Sequence, residues 1–274
     1  MIRFALPTKL RQKVTDSVRI KRWAHRGAGK TAPENTLVAI REGARRGFTA
    51  VEFDTMPTLD GHWILHHDWV TGRTLRRPDG DGAERRIVAM TLSELEQYEA
   101  GSWLDAQFAG EPVPLLEDAL QLCADLGMQV NVELKLDMDS GIFNSPVVLK
   151  ATADSLFSYL QASPYGSQGA QHQRMVVSSF GLPGLYALRE AGYAGRLAPL
   201  FEVMGDDWVE HARALQAEAV HTHHSQASGE WVRRVHTTGR AFRVYTVNEA
   251  ERLAQLDAMG VDDCFTDNMD FALA

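Results

Sequence analysis

The chain has 274 residues, of which 45% are hydrophobic and 23% are charged, and these values are ordinary for a soluble globular protein. The formal net charge of -8 argues against a nucleic-acid-binding protein, which would carry a basic face, but it still allows one positive pocket that binds phosphate. No stretch approaches the ~18 consecutive apolar residues of a membrane helix, so we expect no stable membrane insertion.

The two cysteines and the first residues bear on the cellular compartment. Cys123 and Cys264 lie in apolar surroundings without metal-site spacing, and we expect buried free thiols. This usage is typical of a reducing compartment, so the sequence predicts a cytoplasmic protein. Residues 1–19 lack the uninterrupted apolar core of a secretory signal, and we expect them to be a short extension before the first strand.

The beginning of the chain predicts a strand, a helix and a second strand. These elements are expected at residues 20–24, 37–46 and 49–53. The helix should end at Gly47, since glycine is common directly after the last helical turn. Because one residue separates Glu52 from Asp54, a strand would point both carboxylates to the same face of the sheet.

From about residue 56 to residue 112 the pattern changes, which predicts an insertion after the second strand. Asp60-Gly61 predicts a turn that begins a hairpin. A short strand, a polar loop and a short helix are then expected at residues 63–65, 73–86 and 92–98. The segment is small and polar, so we expect it to have no core of its own, and the chain is predicted to be one domain over residues 1–274.

Strands and helices alternate through the rest of the chain. The expected strands are 129–134, 175–177, 197–201, 219–221, 242–245 and 263–266, and the expected helices are 116–126, 146–162, 183–191, 208–215, 230–237 and 249–259. Such alternation implies a parallel sheet covered by helices. About eight main strands indicate an α/β fold of the (β/α)8 TIM-barrel type, whose active site lies at the carboxyl ends of the strands.

Three carboxylates at predicted strand ends, Glu52, Asp54 and Glu133, could bind one divalent cation. Oxygen ligands without a Cys or His cluster favour Mg²⁺ or Ca²⁺ over Zn²⁺. The same three carboxylates accept either Mg²⁺ or Ca²⁺, so the sequence does not decide between these two ions. A Glu-x-Asp pair on a strand can also be a solvated edge or a salt-bridge pair. The buried strand context and the matching Glu133 favour the metal site.

Two histidines, His25 and His67, are candidates for proton transfer. Hydrolysis of a phosphodiester needs a deprotonated nucleophile and a protonated leaving alkoxide, and imidazole groups that titrate near neutrality suit both tasks. His66 is a rival of His67, because only one of two neighbours on an alternating strand can face the site.

Two cations, Arg26 and Lys135, could bind and neutralise phosphate oxygens. Lys135 could equally be a charge partner of Glu133, and the two roles are compatible. Other polar side chains could orient a substrate or order a loop, namely Asn35 and Asn248. Aromatic side chains could line a pocket or belong to the core, namely Trp63, Trp103, Phe180 and Tyr245.

An ordered set of motifs covers nearly all of the chain from Arg22 onward. The motifs are Ala24-His25-Arg26-Gly27, Pro33-Glu34-Asn35-Thr36, Glu52-Phe53-Asp54, His67-Asp68, Arg73-Thr74, Gly110-Glu111-Pro112-Val113-Pro114-Leu115, Glu133-Leu134-Lys135, Ser179-Phe180, Tyr245-Thr246-Val247-Asn248 and Thr266-Asp267. This set resembles the glycerophosphodiester phosphodiesterase family, and the order makes the resemblance specific although each motif alone is weak. Departures from the family pattern are Thr71, Tyr245 and Met269, all outside the proton-transfer and metal sets.

The resemblance implies a TIM barrel with an insertion after the second strand, and it implies hydrolysis of a small-molecule glycerophosphodiester to glycerol 3-phosphate and an alcohol. It also implies that a divalent cation is bound by Glu52, Asp54 and Glu133. His25 and His67 would be the general acid and base, and Arg26 and Lys135 would contact the phosphate. The His-Asp motif selects His67 over His66. Attack by the glycerol hydroxyl of the substrate, through a cyclic phosphate, is a further hypothesis that the family suggests.

Other functions remain open at this point. A lysophospholipase D would hydrolyse lipid phosphodiesters and would favour an apolar mouth or a basic amphipathic helix, which this acidic chain does not indicate. A non-catalytic barrel that binds a phosphorylated ligand would be expected to lose a histidine or a carboxylate, and none is lost. A metal-dependent barrel enzyme of other specificity is the third alternative. The sequence does not specify the alcohol head group or the oligomeric state.

Overall fold

The computed structural model describes residues 19–80 and 82–271, and over these ranges eight parallel strands close into a barrel. The strands of the chain are β1 (Lys21–Ala24), β2 (Ala50–Pro57), β3 (Trp63–Leu65), β4 (Gln129–Leu134), β5 (Met175–Ser179), β6 (Arg196–Phe201), β7 (Ala219–His223), β8 (Ala241–Tyr245) and β9 (Asp263–Thr266). Strand β1 pairs with both β2 and β9, which closes the barrel. Strand β3 lies outside it, antiparallel to β2. The predicted (β/α)8 TIM barrel is therefore confirmed.

Helices connect the strands and cover the outside of the barrel. The α-helices of the described ranges are α1 (Leu37–Arg45), α2 (Leu92–Leu95), α3 (Leu116–Asp125), α4 (Pro146–Ala162), α5 (Leu182–Glu190), α6 (Trp208–Ala214), α7 (Gly229–His236) and α8 (Ala250–Met259). Short 3₁₀ helices lie at Ile87–Ala89, Ala106–Phe108, Met138–Ser140, Ile142–Asn144, His224–Gln226 and Met269–Phe271.

Local capping explains the bounds of α1. Helix α1 begins after Thr36, whose Oγ1 accepts a hydrogen bond from the backbone N–H of Ala39 at 3.2 Å. It ends before Gly47, which has a φ of +98°, a conformation that glycine adopts without a Cβ penalty. The predicted glycine at the end of this helix is confirmed.

Apolar side chains fill two spaces, one between the barrel and its helices and a smaller one inside the barrel. Phe53 and Ile40 are buried in the outer layer. Inside the barrel, Trp23 and Phe265 pack with small residues of the neighbouring strands. The interior is thus filled by side chains below the site, as barrels of this size require.

The segment between β2 and β4 has a small apolar cluster, so the expectation that it lacks a core of its own is wrong. The cluster consists of Met56, Ile64, Leu75, Ile87, Met90, Leu95, Tyr98 and Ala100. Most of these residues come from turns and short helices rather than from one periodic element. Their irregular spacing hid the cluster from a reading based on periodicity.

Three further expectations concern the two cysteines, the first nineteen residues and membrane-spanning helices. Cys123 and Cys264 are buried free thiols, as predicted. The predicted extension at residues 1–19 lies, apart from residue 19, outside the described residues. Within the ranges that the structure covers, no helix has both the length and the apolar character that crossing a bilayer would require.

Candidate active site

Polar side chains of several strands meet at the carboxyl end of the barrel. His25 directly follows β1, and Glu52 and Asp54 lie in β2 with their side chains on the same face. Strand β4 carries Glu133, which is the register partner of Asp54 across the parallel pair. The barrel topology therefore brings together residues that are more than a hundred positions apart in the sequence.

The three predicted metal ligands form one cluster. One ligand oxygen each of Glu52, Asp54 and Glu133 lies within 4.8 Å of the others. Oε2 of Glu52 accepts a hydrogen bond from the backbone N–H of Arg26 at 2.9 Å, whereas the buried Oε1 has no hydrogen-bond partner among the described residues. Burial and the neighbouring carboxylates raise the pKa values of Glu52 and Glu133. Such an oxygen-only set fits a hard divalent cation, which would relieve the repulsion.

Asn35 holds both the side chain and the backbone of Asp54. Nδ2 of Asn35 donates to Oδ2 of Asp54 at 2.8 Å, and Oδ1 of Asn35 accepts from the backbone N–H of Asp54 at 3.0 Å. Burial alone would raise the pKa of Asp54, but the positive charges of Arg26 and Lys135 and the Asn35 hydrogen bond lower it overall. Asp54 is therefore ionised and fixed in orientation. Of the two roles expected for Asn35, orienting a substrate or ordering a loop, these contacts support the second.

His25 is oriented by a carboxylate that follows β9. Its Nδ1 lies 2.7 Å from Oδ1 of Asp267, and its Nε2 lies 3.9 Å from Oε2 of Glu52. Asn248 fixes Asp267 in turn, since its Nδ2 donates to Oδ2 at 3.0 Å and its Oδ1 accepts from the Asp267 N–H at 2.8 Å. Burial would raise the pKa of Asp267, but the hydrogen bond from His25 and nearby charges lower it overall. The ring therefore presents Nε2 to the carboxylate cluster.

His67 has the same arrangement on the other side of the site. Its Nδ1 lies 2.7 Å from Oδ1 of Asp68. Asp68 also accepts hydrogen bonds from Arg73, which donates through two nitrogens to Glu34 at 2.6 and 3.0 Å. Glu34 accepts in addition from NH1 of Arg26 at 2.7 Å. A continuous chain of charged contacts thus links His67 to Arg26.

His66 does not face the site. Its side chain is buried, and burial lowers its pKa to about 4, so the ring is neutral at physiological pH. Its neighbour His67 lines a pocket at the carboxyl end of the barrel.

Two neighbouring cavities lie at this end of the barrel. The first, here called the inner pocket, has a volume of about 190 Å³ and is lined by His25, Arg26, Glu52, His67 and Glu133 among others. The second, here called the outer groove, has a volume of about 440 Å³ and includes Trp69, Lys135 and Glu202. Glu133 and Phe180 border both cavities.

Of the four aromatic residues considered, two line the inner pocket. Phe180 and Tyr245 do so and pack edge to face with ring centroids 5.6 Å apart. Trp63 instead belongs to the core and donates from Nε1 to Oγ of Ser155 at 3.1 Å. Trp103 donates to a backbone carbonyl of the insertion and borders neither cavity.

Lys135 lines the outer groove and contacts Glu133, which borders both cavities. Its Nζ is 3.4 Å from Oε1 of Glu133, 3.9 Å from Oδ1 of Asp54 and 5.0 Å from the ring centroid of Trp69. The charge-pair interpretation of Lys135 is thus observed.

Sequence reasoning placed Asp267, Glu34 and Arg73 within motifs but gave them no individual role. Asp267 and His25 are 242 positions apart and Arg73 and Glu34 are 39 positions apart, so neither contact can be read from a local pattern. A signal was nevertheless present, because each is a charged residue in a motif of the ordered set.

The chain is similar to known proteins over most of its length. The model of a family described as the glycerophosphoryl diester phosphodiesterase family matches residues 25–271. A protein of Caldanaerobacter subterraneus named glycerophosphodiester phosphodiesterase is 27% identical over 89% of this chain and 93% of its own length. An Oleispira antarctica phosphodiesterase, solved in complex with the product sn-glycerol-3-phosphate, superposes with a TM-score of 0.79 at 26% identity and covers 92% of this chain and 94% of its own. A Silicibacter pomeroyi structure superposes with a TM-score of 0.81 at 22% identity, covers 96% of this chain and 95% of its own, and supports the fold alone.

Proposed function

The chain belongs to the glycerophosphoryl diester phosphodiesterase family, and on that premise we propose that it hydrolyses glycerophosphodiesters to glycerol 3-phosphate and an alcohol with the help of one divalent cation. The observation that carries the proposal is the convergence of three carboxylates, two histidines and two cations at the carboxyl end of the barrel. Each histidine has its Nδ1 on a carboxylate, which leaves both Nε2 atoms for chemistry.

The cation would be held by Glu52, Asp54 and Glu133, the set whose oxygens lie within 4.8 Å of one another. When bound, it would supply positive charge that polarises the phosphate and favours attack at phosphorus. The unpaired Oε1 of Glu52 and the raised pKa values of Glu52 and Glu133 support a set built for a cation. The same oxygens suit Mg²⁺ and Ca²⁺.

His25 and His67 would divide the proton transfers. One accepts the proton of the attacking hydroxyl, and the other donates a proton to the oxygen of the leaving alcohol. Asp267 and Asp68 accept hydrogen bonds from the Nδ1 atoms and would stabilise each imidazolium as it forms.

Arg26 and Lys135 would bind the phosphate oxygens. Arg26 lines the inner pocket, and its guanidinium is fixed by Glu34 at 2.7 Å and Asp54 at 3.5 Å. Lys135 contacts two carboxylates of the cluster, and binding of the cation to these carboxylates would free its ammonium for phosphate. Both groups lie beside the carboxylate cluster, where negative charge would accumulate in the transition state.

The size and position of the cavities support a small substrate. The inner pocket, at about 190 Å³, has room for a glycerol phosphate, and the outer groove would receive the alcohol that leaves. The relative from Oleispira antarctica is described with sn-glycerol-3-phosphate as its product, which supports the same product for this chain. The cytoplasm remains the proposed compartment.

Product analysis tests the proposal. We expect purified protein to convert glycerophosphocholine to glycerol 3-phosphate and choline, detected by separate enzymatic assays for each product. Release of phosphocholine and glycerol would mean that the other phosphoester bond is cleaved and would contradict the proposal. Turnover of lysophosphatidylcholine in place of glycerophosphocholine would favour the lysophospholipase D alternative instead.

A further inference from the structure

Two buried polar side chains line the inner pocket but belong neither to the proton-transfer set nor to the cation set. The first is Asn131, which lies on β4 two residues before Glu133 and is 1% exposed. Its Nδ2 donates to Oγ of Ser178 at 2.9 Å, whereas its Oδ1 has no hydrogen-bond partner in the described part of the chain. A buried acceptor without a partner is rare and indicates a site that a ligand or a water completes.

The second is His221 on β7, which is fully buried. NH1 of Arg243 lies 3.4 Å from its Nε2, and burial together with this positive charge lowers the pKa of His221 well below its usual value. Because arginine can only donate, Nε2 of the neutral ring accepts and Nδ1 carries the proton. Nδ1 also has no partner among the residues described.

We propose that Oδ1 of Asn131 and the Nδ1–H of His221 bind the terminal hydroxyl of the glycerol moiety of the substrate. One atom is an unsatisfied acceptor and the other an unsatisfied donor. A hydroxyl group both donates and accepts, so it complements the two together. The inference rests on the proposed function, since it places the glycerol half of a glycerophosphodiester in the inner pocket.

The glycerol half fits this place better than the head group does. The floor of the inner pocket is closed, because Asn131, His221 and Phe265 are 1%, 0% and 3% exposed. A variable head group needs an open cavity, and the outer groove beyond Phe180 provides one. The ring of His221 packs against Phe265 with centroids 5.2 Å apart, which fixes the direction of its N–H.

This arrangement also selects against lipids. An acyl ester at the terminal hydroxyl has no proton to donate to Asn131. Its chain would have to pass through the buried floor of a pocket of about 190 Å³. The floor therefore distinguishes glycerophosphodiesters from lysophospholipids within the same reaction.

A substrate that lacks only the terminal hydroxyl tests the proposal. We would compare kcat/KM for glycerophosphocholine with that for 2-hydroxypropyl phosphocholine, which keeps the secondary hydroxyl. The wild-type protein should prefer glycerophosphocholine by about 10²-fold or more, because the analogue leaves buried polar groups unpaired. In His221→Phe, which keeps the ring packing, and in Asn131→Leu, this preference should fall below about tenfold.

Thr222→Val is the matched control. Thr222 is the next residue on β7, is equally buried, and its Oγ1 also has no hydrogen-bond partner within the described ranges. Alternation along the strand points it to the opposite face, away from the pocket. The Thr222→Val protein should keep the full preference of the wild type.

Two results would overturn the proposal while leaving the proposed function intact: equal kcat/KM for the two substrates in the wild type, or an unchanged preference in both floor variants. If the wild type hydrolysed no phosphodiester, the proposed function would fail first. Titration calorimetry with glycerol 3-phosphate and 2-hydroxypropyl phosphate would then test the floor alone, and equal affinities would overturn it.

Discussion

Two carboxylates determine which ring nitrogen His25 and His67 present to the inner pocket. Asp267 accepts from Nδ1 of His25 and is itself fixed by two hydrogen bonds with Asn248. The ring proton is therefore held on Nδ1, and Nε2 has no proton. Asp68 lies against Nδ1 of His67 in the same way. In the proposed reaction both aspartates would be positioning residues, because their effect would pass through an imidazole.

Replacing Asp267 by Asn should impair His25 without removing it. An amide can donate to Nδ1, which would move the ring proton to Nε2, and we expect kcat to fall by about 10²–10⁴-fold with a smaller change in KM. Steady-state kinetics on glycerophosphocholine measure both constants.

Asp270→Asn is the control for this change, because Asp270 lies three positions on and its side chain is 87% exposed. It should behave like the wild type. Full activity of a folded Asp267→Asn protein would show that His25 does not depend on its carboxylate partner.

The raised pKa of Glu52 predicts that the cation stabilises the protein more at high pH. Burial and the nearby carboxylates raise this pKa above its ordinary value of 4.5. Without a cation, Glu52 in the folded state keeps its proton at pH values where Glu52 of the unfolded chain, with a pKa of about 4.5, has lost it. The free energy of unfolding therefore falls as the pH rises from about 4.5 to the raised pKa of the folded state. A cation replaces the proton, and its affinity should rise with pH by up to about tenfold per unit for each proton displaced.

Thermal unfolding with Mg²⁺ or Ca²⁺ and with EDTA measures this effect. The difference in Tm between the two conditions should widen from pH 5 to pH 8. In Glu52→Gln the difference should be small and nearly independent of pH. A wild-type difference that stayed constant or narrowed with rising pH would rule out the raised pKa of Glu52 as a determinant of cation binding.

The sequence predicted which residues would lie together better than it predicted their contacts. All seven predicted site residues lie at one end of the barrel, and their roles stay predictions. Residue type and position near strand ends selected most of them, whereas the His-Asp motif of the family resemblance selected His67 over His66. The hydrogen bond between His25 and Asp267 depends on closure of the barrel by β1 and β9, which no local pattern encodes. The link from His67 through Arg73 to Glu34 likewise depends on how the insertion folds back over the barrel.

At the level of elements, the loop that carries His25 and Arg26 is packed tightly on helix α1. A Cβ added to Gly43 of this helix would lie 2.2 Å from the carbonyl oxygen of Gly27. Gly27 itself has a φ of +97°, which allows the turn after β1. The position of the loop that carries His25 and Arg26 is thus set by contact between two backbones.

Gly43→Ala should therefore destabilise the protein. Helix propensity alone would favour Ala by about 1 kcal/mol, but a clash with a backbone oxygen should cost more, and we expect a net loss of about 1–3 kcal/mol in the free energy of unfolding. Urea unfolding measures this change. Gly82→Ala is the control, because a Cβ there would meet no atom within 4 Å. A stabilised Gly43→Ala protein would mean that the loop moves away at no cost.

The order of elements followed from alternation, whereas several of their ends depended on tertiary pairing. Strand β2 runs from Ala50 to Pro57, past the predicted end at residue 53, because Met56 and Pro57 pair with the hairpin strand β3. The helix expected at residues 92–98 is only Leu92–Leu95. Residues that follow it, including Tyr98, join the apolar cluster of the insertion instead.

At the level of the whole molecule, buried ion pairs lie below the inner pocket, towards the amino ends of the strands. Arg243 on β8 is 5% exposed, and it contacts Asp263 of β9 and Glu218 just before β7, the latter at 2.7 Å. These contacts join three neighbouring strands of the barrel. Arg243 also lies beneath His221 of the pocket floor, so the ion pairs support that floor.

Truncation of Arg243 should destabilise the barrel strongly. Arg243→Ala leaves Asp263 buried without its partner, and we expect a loss of about 3–5 kcal/mol in the free energy of unfolding. Urea unfolding measures the change. Arg45→Ala is the control, since Arg45 forms its ion pair with Glu42 on an exposed surface and its loss should leave the midpoint unchanged. Equal midpoints for the two variants would contradict the proposed role of the buried pairs.

Hydrolysis of glycerophosphodiesters with one cation and two histidines can be tested in a single assay. Release of glycerol 3-phosphate from glycerophosphocholine would be measured for the wild type and for His25→Ala, with EDTA and after Mg²⁺ or Ca²⁺ is restored. We predict turnover that EDTA abolishes and the cation restores, and a loss of at least about 10²-fold in His25→Ala. Turnover that persists in EDTA would contradict the role of the cation, and a folded His25→Ala protein with wild-type activity would contradict the role of His25.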